Sequence, residues 1–475
     1  MNFIALDISL LVIFVIFISS FLYIKRKNLK KEGLLFLYKT TWGIKLIDRI
    51  GKKYKKILGF LSYVSIGMGY ILMASMLYLF GKIIYIYFAY PSIVRDIKIP
   101  PIAPLLPYVD RLVPNLGLPP LYFTYWIIIL AIIAITHEFM HGIFMRRHKI
   151  KIKSTGFGFF PFFFPIFLAA FVEQDEDSMK KSSPFKQMAV LAAGTFANVL
   201  TAILFFVIIL LFFAAAFVPA GVQFNTYSYS AVSLAGITSI NNISLNNATY
   251  DKILNLSKDE GLNEIKTFDK NYLIKKAELE KQKSAKNYLI LYDDSPAIRI
   301  GINGAIIKIN GTKITDWDSF GEEILKYSPG DNIIITTKKD DLIKNYEITL
   351  GKNPDNSEKA WIGVGYAEIR SRGFIRGIVD ELSSFKKKYI YYEPKSDLSL
   401  FIYNLLWWLV LISISVALMN MLPMGIFDGG RFFYLTIFIL TKSKKKAELW
   451  FKISTNFLLF LFLLLMVLWG ISFIK

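Results

Sequence analysis

Apolar residues in this chain gather into six long runs: Leu6–Ile24, Ile57–Tyr90, Leu121–Met145, Phe185–Val218, Leu398–Met419 and Leu449–Phe473. Crossing a bilayer takes roughly 20 predominantly apolar residues at a rise of about 1.5 Å each. Each run therefore predicts a transmembrane helix. The first lacks a basic leading region and a small-residue cleavage site, so it reads as a retained helix and not a signal peptide. Gly59, Gly67 and Gly69 suggest that the second packs closely on a neighbour. Between these two runs, Lys25–Lys56 is too charged to be buried, and Leu34–Ile50 predicts an amphipathic helix on the membrane surface. Pro91–Pro120 holds eight prolines and predicts an extended connection.

Two stretches depart from this rhythm. Thr155–Phe171 is strongly apolar yet carries Gly156, Gly158, Pro161 and Pro165, poor material for a spanning helix. Irregular backbone at membrane depth is tolerated only where protein or a cavity satisfies it. The stretch predicts a re-entrant hairpin followed by an acidic turn at Glu173–Asp177, with a short broken helix as the alternative. The second departure is residues 220–397, rich in Asn, Asp, Lys and Ile with strand-like alternation. Within it, Ser295–Leu350 predicts short strands, a turn at Asn310–Gly311 and a helix around Trp317–Lys326. Leu234–Asn247 repeats the pattern of Arg299–Thr312, which suggests two related modules at about 225–290 and 295–370. The predicted organisation is thus 1–120, 121–218, the insert 220–397, and 398–475.

Composition agrees with the pattern. At 475 residues, 54% hydrophobic and mean hydropathy +0.44, the chain is a membrane protein. Its net charge of +20 is unevenly placed. The insert holds 25 Lys/Arg against 24 Asp/Glu and is almost neutral. The excess sits at the ends of apolar runs: twelve basic residues within 25–56, then Arg146–Lys153, then Lys442–Lys446. The positive-inside rule reads these as cytoplasmic loops, which puts both termini and the insert outside. A nucleic-acid partner is the minor alternative to a lipid-facing one. Cysteine is absent, which excludes disulfides, thiolate ligands and cysteine nucleophiles.

Chemistry enters in the third run. His137 and His141 lie four residues apart, on one face of a helix, where both imidazoles can reach one ion. Glu138 sits beside them, placed to polarise a water. Ionisable groups are costly in a spanning segment, and two of the chain's three histidines fall in this pattern. A His and carboxylate donor set suits zinc in a catalytic site. Arg146 follows His141 by five residues, so the pair lies on the order of 7–14 Å inside the cytoplasmic edge. Asn198 is the polar exception in the fourth run, and Asp428 follows a Pro/Gly break that can unwind toward the bundle interior.

HEFMHG at His137–Gly142, AAGTFANV with Asn198, and NMLPMGIFDGG with Asn420, Pro423 and Asp428 together resemble the site-2 protease family of intramembrane zinc metalloproteases. The order and membrane placement of these motifs match as well. The resemblance implies a multi-pass α-helical membrane protein with an inserted mixed α/β, PDZ-like extramembrane domain. It implies one zinc ion per chain held by His137, His141 and Asp428, with Glu138 as catalytic base. Asn420 matches an asparagine implicated in substrate binding or transition-state stabilisation, and Gly156–Gly158 look like the family's membrane-re-entrant strand. Phe427 stands where bacterial members carry leucine, which changes packing and not the ligand. The two leading helices are an addition to the family core.

The implied activity is regulated intramembrane proteolysis of a transmembrane protein, with the PDZ-like insert controlling access. Asn420 or Asn198 then supplies an oxyanion donor, Asn198 being equally readable as an interhelical hydrogen bond. The edge at Gly156, Phe157 and Gly158 is expected to pair with the unwound substrate. A catalytically silent receptor with the same fold, and a membrane-anchored zincin using Glu173 or Glu176 as third ligand, are the alternatives. Oligomeric state is left open.

Overall fold

The computed structural model describes residues 3–32, 35–97, 100–101, 106–108, 119–159, 168–283, 287–339, 342–367, 381 and 383–473. The chain divides into two compact units, one of residues 1–215 with 396–475 and one of 216–395.

The first unit is helical. Its elements are α1 (Phe3–Ile24), β1 (Leu29–Glu32), β2 (Leu35–Thr40), α2 (Ile44–Lys53), α3 (Lys55–Ala89), α4 (Pro91–Ile97) and α5 (Phe123–Arg147). Then follow β3 (Ile152–Phe159), β4 (Leu168–Gln174), α6 (Glu176–Lys180), α7 (Pro184–Ala216), α8 (Asp397–Asn420), α9 (Asp428–Thr441) and α10 (Lys444–Ile471). Six of these, α1, α3, α5, α7, α8 and α10, are long and apolar enough to cross a membrane. Where lipid removes the drive to bury apolar surface, small residues let helices approach. α7 presents Ala189, Ala192 and Ala193, all fully buried, in a cluster with Phe144 of α5, Met421 and Phe432. A second cluster joins Tyr125, Ile129 and Ile133 of α5 to Trp408, Leu409 and Ile412 of α8. α5 is thereby fixed along its length.

Three expectations need correction here. Leu34–Ile50 is not one amphipathic helix: β2 occupies its first part, and only α2 is helical. The β2 backbone pairs antiparallel with β3, which satisfies the backbone groups of that Gly-containing strand. Pro91–Pro120 begins with a helical turn, α4, because proline is tolerated at the first helical position; most of the remainder lies outside the described residues. Third, Gly156, Phe157 and Gly158 do not form an edge. β3 and β4 make the hairpin, with Pro161 and Pro165 outside the described residues, but β3 is interior to a four-stranded sheet of order β1-β2-β3-β4. Gly158 faces Leu37 on one side and Ala169 on the other. Among the described residues the outer strand at this end is β4, whose Val172 N–H is given to Glu138.

Among its described residues the second unit holds two large antiparallel sheets and two two-stranded ones. Of the large pair, one takes residues 229–233, 288–293, 271–274, 263–267, 237–240 and 243–244 in that order. The other takes 342–349, 332–339, 305–309, 217–222 and 390–394. Each closes over its own isoleucine-rich core, around Ile240, Ile253 and Ile265 or around Ile306, Ile309 and Ile335. Both contain the same run of hairpin, helix and hairpin. Positive φ at Asn241 and Asn242 (49° and 67°) and at Asn310 and Gly311 (45° and 85°) turns the first hairpin of each.

Candidate metal centre

α5 carries His137 and His141 one turn apart, and both rings point at the same spot. Their Nε2 atoms are 3.0 Å from each other. Asp428 Oδ2 lies 3.4 Å from each of them. Two donors bound at about 2.0–2.2 Å with tetrahedral angles stand about 3.3–3.6 Å apart. The two His–Asp428 distances fall in that range and the His–His distance is about 0.3 Å short of it, so a slight opening of the two rings lets the three atoms share a cation; two nitrogens with one carboxylate oxygen suit zinc.

The other ring nitrogens are already engaged. His141 Nδ1 donates to the Val190 carbonyl of α7 at 2.7 Å, which leaves the Nε2 lone pair for a metal. His137 Nδ1 meets the side-chain amide of Asn198 at 3.1 Å. An amide presents either end by a half-turn. With Oδ1 toward the ring, Nδ1–H donates and His137 Nε2 is likewise freed. Asn198 is fully buried behind the imidazole. Of the two readings of Asn198, the geometry shows the interhelical hydrogen bond, made to His137.

Two glycine sites let the parts close up. A Cβ on Gly194 would stand 2.4 Å from His141 Nε2 and 2.5 Å from His137 Nε2, so α7 cradles both rings only with hydrogen there. A Cβ on Gly430 would stand 2.2 Å from the Met424 carbonyl oxygen, so the turn before α9 can fold back tightly enough to present Asp428. Asp428 is the first residue of α9, where the helix dipole favours a carboxylate. Gly194 was not singled out from sequence; a glycine in the middle of a spanning alanine-rich run is the signal that marks it.

Glu138 also lies within reach: one donor atom each from His137, Glu138 and His141 fall within 4.8 Å of one another. Its Oε2, however, accepts the Val172 N–H of β4 at 2.9 Å. Asp428, whose Oδ2 faces both imidazoles, is therefore the better third donor, and Glu138 stands to one side with its Oε2 engaged by β4. Glu173 accepts from Lys39 Nζ at 3.0 Å and from the Ser154 hydroxyl at 2.5 Å. Those contacts, Ser154 first, hold its carboxyl below the usual carboxylate range. Committed in this way, Glu173 is a poor third ligand; Glu176 lies 3.9 Å from Arg431.

A cavity of about 450 Å³ opens on His141 and Asp428, lined also by Glu138, Lys153, Glu173 and Gln174 among others. Its lining is mixed and reaches charged residues, which gives water a way in. Asn420 closes α8, half-buried, and is not part of that lining.

The model of peptidase family M50 matches residues 125–464. That span takes in both histidines, Glu138 and Asp428 and covers more than half of the chain. The chain belongs to peptidase family M50, the site-2 protease family. Membership makes it a membrane metalloprotease by family, and family members are zinc-dependent. A comparison with curated proteins finds no match.

Proposed function

We propose that this chain is an intramembrane zinc endopeptidase that cuts transmembrane segments of other proteins. One observation carries it: three metal-donor atoms from α5 and α9 face one another, with the Glu138 carboxylate beside them, on helices apolar enough to span a bilayer. His137, His141 and Asp428 would hold the ion. When bound, zinc supplies a water with its pKa lowered to about 7. Glu138 accepts the water's proton and returns it to the leaving amine. Val190 and Asn198 keep the two imidazoles in the tautomer that leaves Nε2 unprotonated. Asn420 ends α8 outside the lining of the cleft that opens on His141 and Asp428, so no oxyanion role is assigned to it.

A transmembrane helix hides its peptide bonds, and freed backbone groups cost several kcal/mol each in lipid. The outer edge of β4 offsets that cost by strand addition once Glu138 releases the Val172 N–H. The Val172 N–H supports this placement, since it points away from β3 and toward Glu138. The basic ends of α5 and of the α9–α10 turn support a site near the cytoplasmic face, with both termini and residues 216–395 outside. We read the two modules of the second unit as PDZ-like and as a filter on substrate bulk; their matching order of hairpin, helix and hairpin supports a duplicated module.

Cleavage of a single-span model substrate in detergent, by wild type and by Glu138→Gln, tests the proposal. Wild type should cut, and the variant should keep its metal and cut at least 100-fold more slowly, the lower range for a lost general base. Equal rates would end the assignment of Glu138.

A further inference from the structure

Glu138 borders two spaces of opposite character. One is the mixed cleft that opens on the metal donors. The other lies across the Val172–Glu138 hydrogen bond, where Trp42, Ile47, Ile135, Phe139, Phe157 and Ala170 help line a groove whose single charged residue is Glu138. Its volume is about 50 Å³. A single water needs roughly 10–15 Å³ by the same measure, so the groove takes a few carbon atoms and no indole. Its walls are held: Ile47 is 1% exposed, and Asp48 pairs with Arg146 to pin α2 against α5.

Resting on the peptidase proposal, we infer that this groove receives a small aliphatic side chain of the substrate, next to the bond that is cut. A strand added to the outer edge of β4, taking over the Val172 N–H that Glu138 now holds, projects alternate side chains to opposite faces of the sheet. The groove lies on the face that Glu138 borders, so the residue whose backbone passes that carboxylate places its side chain there. An apolar hollow beside a carboxylate offers water few partners and a hydrocarbon many contacts. Alanine and valine fit; phenylalanine and tryptophan do not.

The test uses the full-length protein and a single-span substrate carrying Ala, Val, Phe or Trp at each position flanking the mapped cut. Wild type should favour Ala and Val over Phe and Trp by at least about 10-fold in kcat/KM at one of those positions, since one methylene in a pocket changes cleavage by about 10- to 200-fold. Ala170→Leu, which fills the groove, should lower the Val-to-Ala ratio by about 10-fold. Ile47→Ala, which widens it, should raise the Phe-to-Val ratio. Bound metal, measured in each variant, shows that the site is intact. An identical ranking in all three proteins overturns the inference and leaves the peptidase proposal standing. No cleavage of any substrate by wild type overturns both.

Discussion

Two carboxylates from other helices meet α5, one at each end, and their surroundings differ in kind. Asp7 of α1 is 1% exposed and accepts four hydrogen bonds: from Phe123 N–H, Thr124 N–H, the Thr124 hydroxyl and the Tyr108 hydroxyl, at 2.6–2.9 Å. It satisfies N–H groups that the first turn of a helix leaves without partners. Every polar atom there is answered by another residue. Asp428, at the other end, faces two imidazole nitrogens whose ring partners have already been spent on Val190 and Asn198. With the Asn198 oxygen turned toward His137, three lone pairs point at one another, an arrangement that a shared cation relieves. Both are ionisable groups on apolar helices, a costly situation in either case. What separates a structural carboxylate from a functional one is whether the protein itself completes its hydrogen bonding.

The largest effects should come from the unsatisfied end. Asp428→Ala should lose both bound metal and all cleavage, measured by elemental analysis and a single-span substrate. Glu138→Gln should lose cleavage by about 10²–10⁴-fold and retain metal. If Asp428→Ala binds metal as well as wild type, the two ends of α5 do not differ as claimed. Asn198→Ala should come next, weakening metal affinity by about 10- to 100-fold, the usual cost of losing a partner that orients a ligand. Asn198→Asp, which can still accept from Nδ1–H, should restore most of that loss.

At the satisfied end the readout changes from chemistry to stability. Asp7→Ala strands two N–H groups and two hydroxyls, each worth about 1–3 kcal/mol if left buried without a partner. Thermal unfolding should drop by several degrees while metal stoichiometry in the folded fraction stays at the wild-type value. Asp7→Asn should recover part of the loss through its single carbonyl oxygen. A folded Asp7→Ala protein without metal would contradict the comparison.

The contrast also shows what could be read from the chain alone. The six spans, the His137–His141 spacing and the β3–β4 hairpin follow from local signals: apolar length, a four-residue period, and glycine within an apolar run. Asp7 carries no such signal. Its partners Phe123 and Thr124 lie 116 and 117 residues away, and a lone acid in an apolar helix names no partner. The strand identity of β2 is hidden for the same reason, since its pairing with β3 spans more than a hundred residues. Asn198 was legible as an oddity, but its position behind His137 depends on how closely α7 packs, and that is decided by Gly194.

The third histidine is the internal control for this comparison, and it should show the smallest effect. His148 follows α5 directly, buried, with Nε2 3.0 Å from the Ser62 hydroxyl. It is a satisfied imidazole seven residues beyond an unsatisfied one. Burial, then Arg147 and Lys186, push its pKa down to about 4 from 6.5. The folded protein keeps this ring neutral, whereas the unfolded chain takes up a proton below pH 6.5. Its contribution to stability is therefore complete above pH 6.5 and is lost as the pH falls toward 4. One pH unit within that window corresponds to at most about 1.4 kcal/mol. Melting temperature measured from pH 7.5 to 5 should fall more steeply for wild type than for His148→Asn, which keeps a partner for Ser62 but cannot titrate. Parallel curves would mean that water already reaches this ring, and that the end of α5 is more open than its packing against α3 indicates.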